Sequence, residues 1–207
     1  MSTNMVWDEA DYVVVDVEGN GARPPELVEV AVVPVRRGRI EKARTWLLRP
    51  PTPIAWQARK IHGISNDDVA DAPAVAEVAQ EIRAALGNAI PVGHGVHVDV
   101  DVLRRSLPGW EPPVALDTLK LARRAFDLPS YGLSALVEHR HLAAGLPPEM
   151  RAHRADYDAL VTARLFVELA TLTPGGATLD ALKQAGAMGS PSKPAPAVAA
   201  DARLFDL

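Results

Sequence analysis

The chain has 207 residues, 48% hydrophobic, 23% charged and 5% aromatic, with a formal net charge of −4 and no cysteine. These figures describe one soluble globular domain, and the missing thiol excludes disulfide frameworks, cysteine-ligated zinc and cysteine nucleophiles. No apolar run approaches the ~20 residues that cross a bilayer, and the opening MSTNMVWDEAD carries neither a basic nor an apolar leader region, so a cytoplasmic protein is expected.

The first strong signal is the β-branched run at residues 12–17, which ends in Glu18-Gly19-Asn20-Gly21 and reads as a buried strand entering a turn. A second strand is predicted over 27–35, alternating around Glu29, and a third over 40–48 after the turn Arg37-Gly38-Arg39. Together they predict an antiparallel meander, which Pro50, Pro51 and Pro53 then break. Apolar residues recur at helical spacing over 74–86, and Gly87 supplies a stop. A short buried strand over 89–92 follows, then helices over 99–107, 117–126, 133–141 and about 156–172. Strands followed by alternating helices and strands predict an α/β fold with a mixed central sheet and flanking helices. After Pro174 the composition turns to Gly, Ala, Ser, Pro and Lys, so a domain over 1–173 and a flexible tail over 174–207 are expected.

Three segments carry candidate chemistry. Asp16 and Glu18 lie two apart on a strand and leave the same face of the sheet. Adjacent carboxylates repel, and a hard divalent cation with oxygen ligands relieves that repulsion. An ordinary turn rich in Asp, Asn and Gly is the other reading. The second segment, His94-Gly95-Val96-His97-Val98-Asp99-Val100-Asp101, reads either as a strand with His97, Asp99 and Asp101 on a polar face or as a metal site built on His94 and His97. No His-Glu-x-x-His pattern accompanies it. In the third, His153 and Asp158 flank the start of a helical pattern. They converge only if His153 lies on the preceding loop, which Asp156 as the helix N-cap would allow. A plain acidic first turn complementing the helix dipole is the other reading of Asp158.

Taken in order, these segments resemble the motifs of the DnaQ-like DEDDh 3′–5′ exonucleases, of the ribonuclease H-like superfamily. Asp16-Val17-Glu18 matches the family's Asp-x-Glu, residues 94–99 match His-Asn-x-x-Phe-Asp, and His153 to Asp158 matches His-x4-Asp. Ile61-His62-Gly63-Ile64-Ser65 is similar to the family's Ile-His-Gly-Ile-Thr, and the likeness extends over about residues 12–172. Gly19-Asn20-Gly21 replaces a frequent Thr-Thr-Gly, and Gly95 and Val98 replace the Asn and Phe of the second motif.

The resemblance implies two Mg²⁺ or Mn²⁺ ions held by Asp16, Glu18, Asp99 and Asp158, with His153 as the general base that deprotonates the attacking water. It implies release of nucleoside 5′-monophosphates from the 3′ end of single-stranded or frayed DNA, in proofreading or repair. Gly19, Asn20, Ile61 and His62 would line the terminal-nucleotide pocket. An exoribonuclease trimming RNA 3′ ends and a noncatalytic polymerase accessory module are the competing readings. Leu204-Phe205 near the C-terminus resembles the core of sliding-clamp-binding peptides, so a clamp or polymerase is a candidate partner of the tail, although the leading Gln is missing. Few aromatic residues are available for an extended base-stacking platform.

Overall fold

A computed structural model describes residues 5–172 and 178–189. Its centre is a six-stranded mixed sheet. β1 (Tyr12–Gly19) runs antiparallel to β2 (Leu27–Arg36), and β2 also pairs with the short β3 (Arg39–Ile40) and β4 (Arg44–Leu47). On the other side β1 pairs in parallel with β5 (Ile90–Gly93), and β5 with β6 (Leu116–Asp117). The predicted meander is present, but its third strand is interrupted, leaving two short pieces on β2.

A short 3-10 turn at Trp7–Glu9 and seven α-helices complete the described chain: α1 (Trp56–His62), α2 (Val75–Leu86), α3 (His97–Ser106), α4 (Thr118–Ala125), α5 (Leu133–Arg140), α6 (Ala155–Leu172) and α7 (Leu179–Gly186). Strand alternation distributes them over two faces. Tyr12 and Val14 of β1 join Ala31, Val33 and Val35 of β2 under α6, where Ala155, Ala159, Ala163 and Phe166 are buried. Val13 and Val15 point the other way, with Val30 and Val32, into a second core completed by Ile82 and Leu86 of α2 and Val100 and Leu103 of α3. Asp16 and Glu18 continue the Tyr12–Val14 register and therefore emerge on the α6 face, past the end of its apolar packing. The small residues 155, 159 and 163 of α6 lie one turn apart and let its axis come close to β1 and β2. Among the described residues, no helix is long and apolar enough to cross a membrane.

Two expectations change. The short helix α1 fills the proline-broken interval, ending at Gly63, whose left-handed φ of 77° and N–H bond to the Arg59 carbonyl (2.8 Å) close the last turn. Seven residues are too few for periodicity to announce. Residues 178–189, expected within the tail, instead pack on the domain. Thr178 accepts from the Ala181 N–H and caps α7, Leu179 and Leu182 are buried in the α6-side core, and the Met188 N–H donates to the Ala115 carbonyl. The Gly- and Ala-rich composition masked this 3.6-residue pattern. The Leu204-Phe205 segment lies outside the described residues.

Leu182 is fully enclosed by the α6-side core. Truncation by Leu182→Ala should cost about 2–5 kcal/mol in urea unfolding. A change below about 0.5 kcal/mol would show that α7 is not part of the folded unit.

Candidate active site

Every candidate acid sits where an element starts or stops. Asp16 and Glu18 stand on the last turn of the pleat of β1, and Asp158 lies in the first turn of α6. One carboxylate oxygen from each of the three lies within 4.8 Å of the others, although 140 positions of sequence separate Glu18 from Asp158. Asp99 stands behind this trio. It lies in the first turn of α3 and is buried, with its Oδ1 accepting the Val17 N–H at 3.1 Å. That bond ties the second acidic segment to the peptide between Asp16 and Glu18. The segment is therefore a helix start and not a strand, because Gly95 takes a left-handed turn (φ 75°) and lets residues 97–106 wind. Asn is the residue other than Gly that most readily adopts this conformation, which makes Gly95 a conservative replacement for the motif's Asn.

The remaining residues of that segment do other work. His94 has both ring nitrogens engaged, Nδ1 with Thr118 Oγ1 (3.0 Å) and Nε2 with the Tyr131 carbonyl (2.8 Å), so it braces three elements and is unavailable to a metal. His97 is exposed, and Asp101 pairs with Arg105 one turn along α3.

Electrostatics at the site run against ionisation. Burial first, then the negative charges of Asp99, Asp158, Glu18 and Glu29, push the Asp16 carboxyl well above its ordinary range. Burial also raises Glu18 to about 8, with Asp158 and Glu29 adding to it and Arg154 opposing. Asp99 is raised to about 8 by burial, against the lowering effect of the Val17 N–H. Asp158 is raised to about 6, again chiefly by burial, and the His153 N–H pulls it down. A cluster of oxygen donors that resists carrying its own charge is what a hard divalent cation fits, since the ion supplies the missing positive charge. Asp16, Glu18 and Asp158 could hold such an ion directly, with Asp99 beside them.

His153 lies on the loop before α6 with φ 62°, and its N–H donates to Asp158 Oδ2 at 3.0 Å. The loop placement follows the spacing argument, but the cap does not. α6 begins at Ala155, and Asp156 bonds only its neighbour's N–H. The acceptor for the Ala155 N–H is Glu29 Oε2 at 2.9 Å, a carboxylate from β2 directly across the sheet from Glu18. Glu29 is 1% exposed and also takes a two-pronged contact from Arg154, Nε to Oε2 at 3.0 Å and Nη2 to Oε1. Neither residue occupies a position that the sequence motifs mark. The available signal was a lone acid inside the apolar run 27–35.

The four residues expected to line a nucleotide pocket, Gly19, Asn20, Ile61 and His62, differ in exposure. Asn20 is 1% exposed and its amide is consumed internally: Nδ2 donates to Glu26 and Thr52, and Oδ1 accepts from the Ala22 and Glu26 N–H groups. It shapes the turn after β1 and has no capacity left for a ligand. α1 packs on that turn, where a Cβ at Gly21 would come within 3.2 Å of Ala58. His62 is buried, its Nδ1 accepting the Ile64 N–H (3.0 Å), and its Nε2 faces the Gly19 backbone without a hydrogen-bond partner. Ile61 remains 60% exposed and Val98 51% exposed.

A family model described as Exonuclease matches residues 13–166. The chain belongs to the exonuclease family. It is 36% identical over 156 residues to Exodeoxyribonuclease 10 of Escherichia coli K12, covering 75% of this chain and 67% of that protein. It is 33% identical over 174 residues to the PolC-type DNA polymerase III of Thermotoga petrophila, covering 81% of this chain but only 12% of the polymerase. Among solved structures, Exonuclease X in complex with 5′ overhanging duplex DNA superimposes with a TM-score of 0.67 at 34% identity, over 80% of this chain and 95% of that one. The nuclease domain of 3′hExo, a DEDDh family member bound to rAMP, matches at a TM-score of 0.63 and 18% identity, over 83% and 95%, a likeness of fold. The mixed sheet with flanking helices is thus the ribonuclease H-like exonuclease fold.

The raised carboxyls fix the sign of a pH effect. The folded protein binds more protons than the unfolded chain between about pH 4 and 8, so without metal their contribution to stability is lost as pH rises through about 6 (Asp158) to about 8 (Glu18 and Asp99). Metal-free Asp16→Asn, with one acid fewer, should lose less melting temperature than the unaltered chain between about pH 5 and 8.5, and gain less from added Mn²⁺. Identical pH and Mn²⁺ responses in the two proteins, measured by calorimetry, would refute the cluster electrostatics.

Proposed function

We propose that this chain is a divalent-metal-dependent 3′–5′ exonuclease that releases nucleoside 5′-monophosphates from the 3′ end of single-stranded or frayed DNA, in proofreading or repair. The observation that carries the reading is the convergence of Asp16, Glu18 and Asp158 within 4.8 Å, with the His153 segment hydrogen-bonded to Asp158. A DNA substrate is favoured because the relatives above 30% identity include an exodeoxyribonuclease and a DNA polymerase.

Asp16, Glu18 and Asp158 would hold two Mg²⁺ or Mn²⁺ ions, with Asp99 completing the set. When bound, the ions offset the carboxylate charge, polarise the scissile phosphate and assist formation of hydroxide. His153, exposed on its loop, takes a proton from the attacking water. The water oxygen then bonds to phosphorus, and the bond from phosphorus to the 3′ oxygen of the preceding nucleotide breaks. The departing 3′ oxygen takes up a proton from solvent, to which His153 later returns its own, and the products are a nucleoside 5′-monophosphate and a strand shorter by one residue with a free 3′ hydroxyl. Gly19, Ile61 and Val98 would offer backbone and apolar surface to the terminal nucleotide, with buried His62 set against the Gly19 backbone.

The test is digestion of end-labelled single strands in Mg²⁺, with polarity read from the products and matched RNA run in parallel. Asp16→Ala or Asp158→Ala should abolish nucleotide release with circular dichroism unchanged. His153→Ala should lower the rate by about 10²–10⁴-fold while leaving Mn²⁺ binding nearly intact. Full turnover in pure Asp16→Ala protein would remove the metal assignment, and preferential digestion of RNA would transfer the activity to RNA ends.

A further inference from the structure

β2 offers no reason of its own to carry an acid at position 29. Its neighbours Val28, Val30, Ala31 and Val32 are all buried and apolar, and position 29 itself is buried. A buried ion pair recovers little net stability over well-packed apolar side chains of similar volume. The presence of Glu29 paired with Arg154 therefore asks for a role other than holding the sheet together.

The contacts define one. Both Glu29 oxygens accept from Arg154, and Oε2 also accepts the Ala155 N–H, so the carboxylate grips the two residues that immediately follow His153. The planar guanidinium held at two points cannot swivel as a single-point contact could. Only one backbone link separates that grip from His153, whose φ of 62° is a left-handed value that a non-glycine residue keeps only when its surroundings impose it. On the far side, the His153 N–H bonds to Asp158. The histidine is thus clamped from both ends: by Glu29 through Arg154 and Ala155, and by Asp158 through its own amide. Asp158 has a separate anchor in the alanine row that seats α6 on the sheet.

We infer that Glu29, acting through Arg154, is a positioning residue for the general base: it holds His153 in the left-handed conformation that presents its ring to the attacking water, without touching substrate or metal. This rests on the exonuclease reading above.

A double-mutant cycle on the full chain tests it, with single-turnover rates on a labelled single strand. Glu29→Gln keeps the side chain's size but removes its charge and one acceptor. It should lower kcat by about 100-fold, the scale of a misplacement of about 1 Å at a reacting group, with KM within about threefold. In a His153→Ala background the same change should cost less than about threefold, because the residue it positions is already gone. The Mn²⁺-induced rise in melting temperature should be retained in Glu29→Gln, showing that the metal ligands are undisturbed. If Glu29→Gln does not fold, the apolar pair Glu29→Leu with Arg154→Met carries the same cycle. Equal losses in both backgrounds, an unchanged kcat, or loss of the Mn²⁺ response would each overturn the inference. Absence of metal-dependent nucleotide release by the unaltered chain would instead overturn the exonuclease reading itself.

Discussion

Mutual repulsion among buried and half-buried carboxylates is the constraint around which the rest of this molecule is arranged. An isolated ionised carboxylate in an apolar interior is costly by many kcal/mol, and here Asp16, Glu18, Asp99 and Asp158 crowd one end of the sheet. Such an arrangement holds only if the scaffold is rigid enough to keep the groups from moving apart. The scaffold meets that need with two apolar cores on opposite faces of β1, so that the strand carrying the first two acids is fixed from both sides. The other two acids enter at helix starts, where unpaired N–H groups and the positive end of the helix dipole tolerate negative charge. The Val17 N–H completes the arrangement by tying Asp99 to the strand itself.

Much of this was legible in the chain. The residues 12–17 announce a buried strand, and the two-residue spacing of Asp16 and Glu18 places both on one face, where they stand beside Asp158. The helices over 74–86 and 156–172 were readable because each presents a sustained apolar period, the helix over 133–141 has a weaker pattern with Leu136 alone buried, and the observed bounds of all three differ by a residue or so at the ends. Helix α3 was harder. Its first turn carries alternating Val and Asp, a strand-like pattern, and the left-handed Gly95 that starts the helix has no signature of its own in a single sequence.

What could not be read depends on partners distant in sequence. Nothing local to Glu29 says that it caps a helix beginning 126 positions later, and Asp156 offered a nearer and more conventional cap. Asn20 misled for a related reason. Set beside a cluster of acids, a polar residue in a glycine turn looks like a ligand contact, yet all of its hydrogen-bonding capacity is spent on Glu26, Thr52 and Ala22. The family's usual hydroxyl-bearing turn is here replaced by one that is knotted internally and presents backbone to its surroundings.

That exchange bears on how an acidic protein with few aromatic residues can accept a nucleic acid. Without hydroxyls after Glu18, and with Val98 in the second motif, the apolar side chains left exposed in the segments that carry the likeness are aliphatic: Ile61 on α1 and Val98 one residue before Asp99. Aliphatic contacts grip a terminal base by shape and burial, at about 25 cal/mol per Å² of apolar surface covered, and make little distinction between bases. On the proposed function, phosphate attraction would come from cations held by Asp16, Glu18 and Asp158, because the carboxylates alone would repel a polyanion. The proposed function thereby binds substrate capture and catalysis to one event, the charging of the acidic cluster. A strand end should be held only as firmly as the cluster holds its metal.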